Sequence, residues 1–343
     1  MGEAYLLRMQ WFLGKLEGVA QPRTILMQII YLVSLLLLAV SCFGQSVNKD
    51  EYVRAIALSA DGKLLAEVNL DGSITVNQIS AKQKFQLDGL KPVRAFALAF
   101  SSDGQILAAG ENNGTIKIWS LSEAKIVRTI VQSSGVWSVA FNQQGTQLAA
   151  GGNGFVQVWD ARKGNEIRRW AIKGTCLALA FDPGGNWLAA AEGSILHAWS
   201  LKDSGSFEGK ADTFMIDSVA FSPRGNLIAT GGMMPHNGTV QIWRIDQALS
   251  NRTLATLPSS VQALIFSPDE TRLAAGCSDG TIRLWRSSDG REIQEIKSNE
   301  FIGALVFSRD DLKLIAATRP NLEDRSNLLV WDSQTGQELS SLP

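Results

Sequence analysis

The sequence predicts an all-β chain, a seven-bladed β-propeller of four-stranded antiparallel blades preceded by an N-terminal hydrophobic helix. Three observations predict it. Tryptophans at Trp119, Trp159, Trp199, Trp243, Trp285 and Trp331 recur every forty to forty-six residues or so, about one four-stranded blade. Each closes an alternating segment such as TIKIW, FVQVW or TIRLW, and one interval before Trp119 the segment SITVN supplies a seventh copy with Asn77 at the tryptophan's place. The composition, 45% hydrophobic with 31 glycines among 343 residues, suits a folded chain with many turns.

Each unit repeats four phrases. An apolar run ends in phenylalanine and a turn, as in VWSVAFNQQG and DSVAFSPRG, and its alternation suits a strand with one buried face. A strand of small apolar residues follows (ILAAG, WLAAA, LIATG, LAAGC), as expected where sheets approach closely at an inner wall. The pairs Asp71-Gly72, Asn113-Gly114, Asn153-Gly154, Asn237-Gly238 and Asp279-Gly280 then mark tight turns with positive φ. The third strand ends at the tryptophan, and a more polar fourth strand, for example Glu166–Ala171, forms the outer edge. Phe100, Phe141, Phe181, Phe221, Phe266 and Phe307 are the expected inner anchors. The last unit owns an outer strand, 337–342, so closure is expected by contact between the first and seventh units.

On these residues, and above all on SPDETRLAAGCSDGTIRLW and SSDGQILAAGENNGTIKIW, the stretch from Glu51 to Pro343 resembles WD repeats. The resemblance implies a propeller that binds proteins or peptides. It departs from the family in having no Gly-His pair before the first strand, and Trp-Asp survives only at Trp159-Asp160 and Trp331-Asp332. The family's tetrad of histidine, Ser/Thr, acidic turn residue and tryptophan is therefore incomplete, and blade cohesion is expected to rest on apolar packing.

Before the repeats, Ile25 to Gly44 is a stretch of about twenty uncharged residues, long enough to cross a bilayer as a helix. Arg8, Lys15 and Arg23 precede it, which by the positive-inside rule sends the chain beyond Gly44 outward. The organisation read from this is a leader over 1–24, a signal peptide or membrane anchor over 25–44, a linker over 45–52 and the propeller over 53–343. A third reading of the segment is a lipoprotein signal, since Ala39-Val40-Ser41-Cys42 resembles a lipobox with Cys42 lipidated. The expectation is an exported chain, membrane-anchored or secreted.

Function is sought where loops leave a rigid scaffold. The loops between second and third strands share a face with the inter-unit connections, and two carry insertions: one with Met233, Met234 and His236, the other with Arg319, Glu323, Asp324 and Arg325. Drift in tolerant surface loops would also produce such insertions. The residue starting each first strand should face the same rim, giving a circle of Arg54, Phe96, Trp137, Leu177, Asp217, Gln262 and Gly303. Phe96 and Trp137 are its hot-spot candidates, with packing over the channel as the structural alternative.

Chemistry is sparse. Two histidines, His197 and His236, and three scattered cysteines, Cys42, Cys176 and Cys277, do not assemble a metal site or a triad. Asp61, Asp103, Asp182, Asp269 and Asp310 recur at turns and read as turn residues, and Cys176 and Cys277 as buried small hydrophobes. No catalytic, cofactor or metal residue is assigned. A formal charge of -1 gives no overall pull toward nucleic acid. The expected function is a non-catalytic scaffold binding a protein or peptide partner, membrane-associated through its N-terminal segment, with no small-molecule substrate. The alternative is a propeller enzyme, a quinoprotein-like dehydrogenase or hydrolase with its site over the channel, which would need convergent charged groups on one face.

Overall fold

The computed structural model describes residues 55–69, 72–79, 81, 83–87, 95–234, 237–245, 250–318 and 327–342. The N-terminal hydrophobic segment and Cys42 lie outside them. Among the described residues no helix is long and apolar enough to cross a membrane.

Every strand phrase of the sequence forms a strand. The first sheet joins Ile56–Leu58, Leu64–Val68, Ile74–Gln78 and Gln83–Leu87 in chain order, each antiparallel to the next. The small second strands are buried almost along their whole length, as in Ile106–Glu111, Arg272–Cys277 and Lys313–Thr318. The fourth strands alternate toward solvent, as in Lys125–Val131 and Glu292–Lys297. Phe181, Phe266 and Phe307 are buried, and Phe100, Phe141 and Phe221 pack half-buried against the inter-sheet clusters.

Hydrogen bonding departs from seven separate sheets of four. Among the described residues there are six sheets, five of four strands and one of six. In the six-stranded sheet, Gln147–Asp160 and Glu166–Phe181 each run through two phrases of the repeat. The first half of Gln147–Asp160 pairs with Val136–Phe141 and its second half with the start of Glu166–Phe181, whose far end pairs with Trp187–Glu192. The cause is local. Strand hydrogen bonding is continuous across the positive-φ turn at Asn153-Gly154, and from Ala171 to Thr175 the chain passes from the third unit into the fourth with no turn, setting Thr175 opposite Asn153. Two units thereby share one sheet.

The need for small second-strand residues is explained by the neighbouring sheet. A Cβ on Gly110, Gly231 or Gly276 would strike Val136, Val261 or Ile302, each at the start of the next unit's first strand. In the first unit the relation is reversed, with Val68 at the glycine's place and Ala95 facing it in one buried cluster. Closure follows the same physics: Leu65 with Ile56 and Leu58 packs on Val306, Ile315, Ala317 and Val330, so the first sheet seals against the last by apolar contact. The final strand, Glu338–Leu342, belongs to the last sheet.

Of the expected positive-φ turns, Gly72, Gly114, Gly154 and Gly280 have that geometry. Gly238 does not. A Cβ there would strike the backbone carbonyl of Ser259, so close approach rather than φ requires glycine.

Polar contacts supplement the apolar packing. The residue two places before the tryptophan meets a carboxylate in five successive units: Lys117 with Glu111 at 2.8 Å, Gln157 with Glu166 at 2.6 Å, His197 with Glu192 at 3.0 Å, Gln241 with Asp212 at 3.2 Å, and Arg283 with Glu295 at 2.6 Å. At the outer edge, Arg168 donates to the carbonyls of Ser200 and Asp203, and Arg252 to those of Ser287 and Ser288, each reaching the next unit's last turn. Charge-assisted bonds of this kind are among the stronger protein hydrogen bonds.

Candidate functional site

The pairing of first and second strands skips one residue in each of the six units where it can be followed. The skipped residues are Phe96, Trp137, Leu177, Asp217, Gln262 and Gly303. These are the described members of the circle expected from the sequence; Arg54 lies outside. Each is a β-bulge, which re-aims the side chain and bends the strand end. The same irregularity six times over turns six strand ends toward one place.

That place is a cavity of about 330 Å³ to which each of the seven units contributes first-strand residues. Five bulge residues line it, Asp217 being the exception. Among the described residues the lining is uncharged: Ala, Ile, Leu and Val, the two aromatics, Ser138, Ser218, Gln262 and Gly303. Phe96 and Trp137 stack on each other, centroids 4.5 Å apart and planes 4° from parallel. Each remains half-buried. Ser138 and Ser218 are turned to structural use, donating to the carbonyls of Cys176 at 3.1 Å and Val261 at 3.5 Å across the unit boundary. The Gln262 amide donates to Ser260 Oγ at 3.2 Å. The buried Trp137 Nε1 has no partner among the described residues.

The fifth-unit insertion lies on the face of this opening. Met233 pairs with Met215, and the Phe214 N–H donates to the Met233 carbonyl at 3.1 Å, which sets Phe214 beside the base of the insertion. Phe214 is 45% exposed and Met234 41%. The loop is closed by the Met234 N–H donating to the Asn237 carbonyl at 2.6 Å. Phe214 was missed from the sequence because only one position per inter-unit connection was counted; its signal was an aromatic three residues before Asp217. His236, Arg319, Glu323, Asp324 and Arg325 lie outside the described residues. The base of the seventh-unit insertion is described: Glu300 accepts from Thr318 Oγ1 and from Asn327 Nδ2, bonding both ends of the loop.

Elsewhere the chemistry is spent on structure. A larger cleft of about 650 Å³ lies among the turns of the fifth to seventh units, lined by Arg224, Arg272, Arg286, Asp269, Glu270 and Asp311 among others. Its charges satisfy each other or the turns, as with Arg272 and Asp311 at 2.7 Å. It is a seam of inter-unit bonds, and the smaller uncharged opening is the better site. Asp61, Asp103, Asp269 and Asp310 each accept the hydroxyl of the serine two residues earlier, and Asp182 accepts the N–H groups of Gly184, Asn186 and Trp187. They are turn residues. His197 is half-buried, stacked on Trp199 between Glu192 and Glu208. Cys176 and Cys277 are buried free thiols, and burial pushes Cys176 up to about 11. Among the described residues no group of three or more His, Cys, Asp or Glu could hold a metal.

Comparison with known proteins agrees with this architecture. Residues 56–144 match the family described as the anaphase-promoting complex subunit 4 WD40 domain, and residues 202–244 and 251–286 match the WD domain, G-beta repeat. The small ribosomal subunit protein RACK1 of Neurospora crassa is 26% identical over 103 residues, 30% of this chain and 31% of that protein. RACK1z of Arabidopsis thaliana is 31% identical over 83 residues, 24% of each chain. The matched stretches thus span a third or less of these relatives' length. Among solved structures, a chain of the mitotic checkpoint complex superposes with a TM-score of 0.70 at 21% identity, over 82% of this chain and 88% of its own. U3-55K does so with a TM-score of 0.70 at 17% identity, over 83% and 96%. At these identities the structures speak for the fold alone. The chain is a WD40-repeat β-propeller protein, distantly similar to RACK1, of a family whose members are typically non-catalytic scaffolds for protein interaction.

Proposed function

We propose that the face bearing the bulge residues docks a protein or peptide segment, with Phe96, Trp137 and Leu177 as the apolar floor and Phe214, Met233 and Met234 as an adaptable flank. The observation that carries this reading is the repeated bulge, which brings Phe96, Trp137, Leu177, Gln262 and Gly303 to one opening at the channel mouth. Rigid aromatics beside flexible methionines are the composition of contact surfaces. The described lining carries no charged side chain, which favours this reading over the propeller-enzyme alternative and its convergent charged groups. Seven blades remain our reading of the ring: the cavity draws first-strand residues from seven units, which supports counting the shared six-stranded sheet as two blades.

The test is affinity capture with the full chain against two double variants, Phe96→Ser with Trp137→Ser and Phe214→Ser with Met234→Ser. Loss of the same captured protein by both, at unchanged circular dichroism, supports the face. Undiminished capture by both sinks it. We also propose, on the uncharged stretch Ile25–Gly44, that the ring lies outside the cytoplasm. Protease accessibility of the ring in intact cells tests this, and lipid labelling of wild type against Cys42→Ala tests the lipoprotein form.

A further inference from the structure

The outer edge of the ring carries exposed aliphatic residues at regular places. Val127, Ile167, Ile293 and Leu339 are each skipped in the pairing of third and fourth strands, beside a tryptophan, and each is exposed. In the sixth and seventh units they stand among carboxylates, Glu292, Glu295 and Glu338. In the second and third units they stand among bases. The stretch 121–173 holds seven Lys and Arg against three Asp and Glu, in a chain of formal charge -1.

This arc differs in two further ways. The strand Lys125–Val131 adds two more exposed aliphatics, Ile126 and Val131, the latter 73% exposed. Lys125, Arg169 and Lys173 are exposed and enter no ion pair among the described residues. The acidic arc is largely neutralised from within: Arg283 pairs with Glu292 and Glu295, and Lys297 with Glu295. The acidic arc of a second copy thus offers little free negative charge to meet the basic arc.

We propose that the edge formed by the fourth strands of the second and third units lies against an anionic phospholipid surface. Unpaired bases there meet headgroup phosphates, and Ile126, Val127, Val131 and Ile167 enter the boundary between headgroup and acyl chain. Charge complementarity selects this partner, and the same chain carries the uncharged stretch Ile25–Gly44. The surface is separate from the channel-mouth face, so either reading can fail without the other.

The experiment is hydroxyl-radical footprinting of the full chain on phosphatidylcholine vesicles with and without phosphatidylglycerol, which reads each side chain whatever holds the chain to the vesicle. Oxidation of Ile126, Val127 and Val131 should fall on the anionic vesicles alone and return at high salt. Each base removed should weaken the protected state about fivefold, so the Lys125→Glu, Arg169→Glu, Lys173→Glu variant should lose protection at an unchanged melting temperature. A Lys125→Arg, Lys173→Arg control should keep it. Equal protection on neutral vesicles, no protection on either, or protection that rises with protein concentration without vesicles, the mark of a second copy, would each overturn the proposal.

Discussion

Trp243 donates its indole N–H to Thr230 Oγ1 at 2.8 Å, both side chains buried. Thr230 sits two residues beyond Ile228, the pairing partner of that tryptophan. In the second, third, fourth, sixth and seventh units the same position is Ala109, Ala150, Ala190, Ala275 and Ala316. This is the part of the family's tetrad that the fifth unit keeps. Thr230→Val preserves shape and removes the acceptor, leaving a buried N–H unsatisfied, and should cost about 1–2 kcal/mol. Urea unfolding of the two proteins measures it, and an unchanged midpoint would show that the bond contributes nothing net.

How much of this was readable from the sequence depends on where each partner lies. The tryptophans, the small second strands and the serine-aspartate turns are local patterns, and the structure has them where the repeat sets them. The circle of bulge residues was also found by phase alone, because it recurs at one place in the unit. The carboxylates opposite Lys117, Gln157, His197, Gln241 and Arg283 were not found: Glu111 and Glu192 precede a turn, Glu166 and Glu295 lie on the fourth strand, and Asp212 lies in a connection. No single spacing holds them. The merging of the third and fourth units was missed because Asn153-Gly154 looks like Asn113-Gly114. The difference lies in the next connection, Ala171–Thr175, which lacks the Ser-Ser-Gly of residues 133–135.

Arg272 is 11% exposed, pairs with Asp311 at 2.7 Å, donates to the Ser333 carbonyl at 2.5 Å and lies over the Phe307 ring. Asp311 has φ +61° at a turn position that is Gly62, Gly104, Gly145, Gly185 and Gly225 in the first five units, all with positive φ. Replacing Asp311 should therefore have two separable effects. Asp311→Gly loses the carboxylate but relieves the left-handed backbone, and should cost about 1–3 kcal/mol, less than a fully buried pair because Ser333 still holds the guanidinium. Asp311→Ala loses the same carboxylate and keeps the strain, adding about 1 kcal/mol. If alanine proves no worse than glycine in thermal melts, the strain argument fails.

Gly110 faces Val136 so closely that a Cβ would collide with its side chain. Gly110→Ala should overpack the boundary of the second and third units and cost about 1–3 kcal/mol. The native pair of Val68 and Ala95 shows that bulk is tolerated on the second strand when the facing residue is small. Val136→Ala should accordingly rescue part of the loss, giving a double variant less destabilised than the sum of the singles by about 0.5–3 kcal/mol. A strictly additive cycle would mean that the two residues do not share the constraint.

The serine-aspartate turns give the ring a defined response to acid. The Ser101 hydroxyl at 2.5 Å and the Gln105 N–H at 3.0 Å hold the Asp103 carboxyl below the ordinary range, and the Ser308 hydroxyl at 2.5 Å and the Leu312 N–H at 3.2 Å do so for Asp310. A carboxyl with a lowered folded pKa contributes stability above its unfolded value, about 4, and loses it as pH falls through the folded value beneath. Stability from these turns should thus be constant through neutral pH and decline only in the acid limb. The Asp103→Asn, Asp310→Asn variant should melt below wild type at pH values near neutrality, with the gap closing as the carboxylates of wild type become protonated. The wild type should show the steeper acid slope, because only it loses charge-dependent turn bonds on protonation. A gap that stays constant through the acid limb would mean that the hydroxyl and N–H bonds hold the neutral and ionised carboxyls equally well.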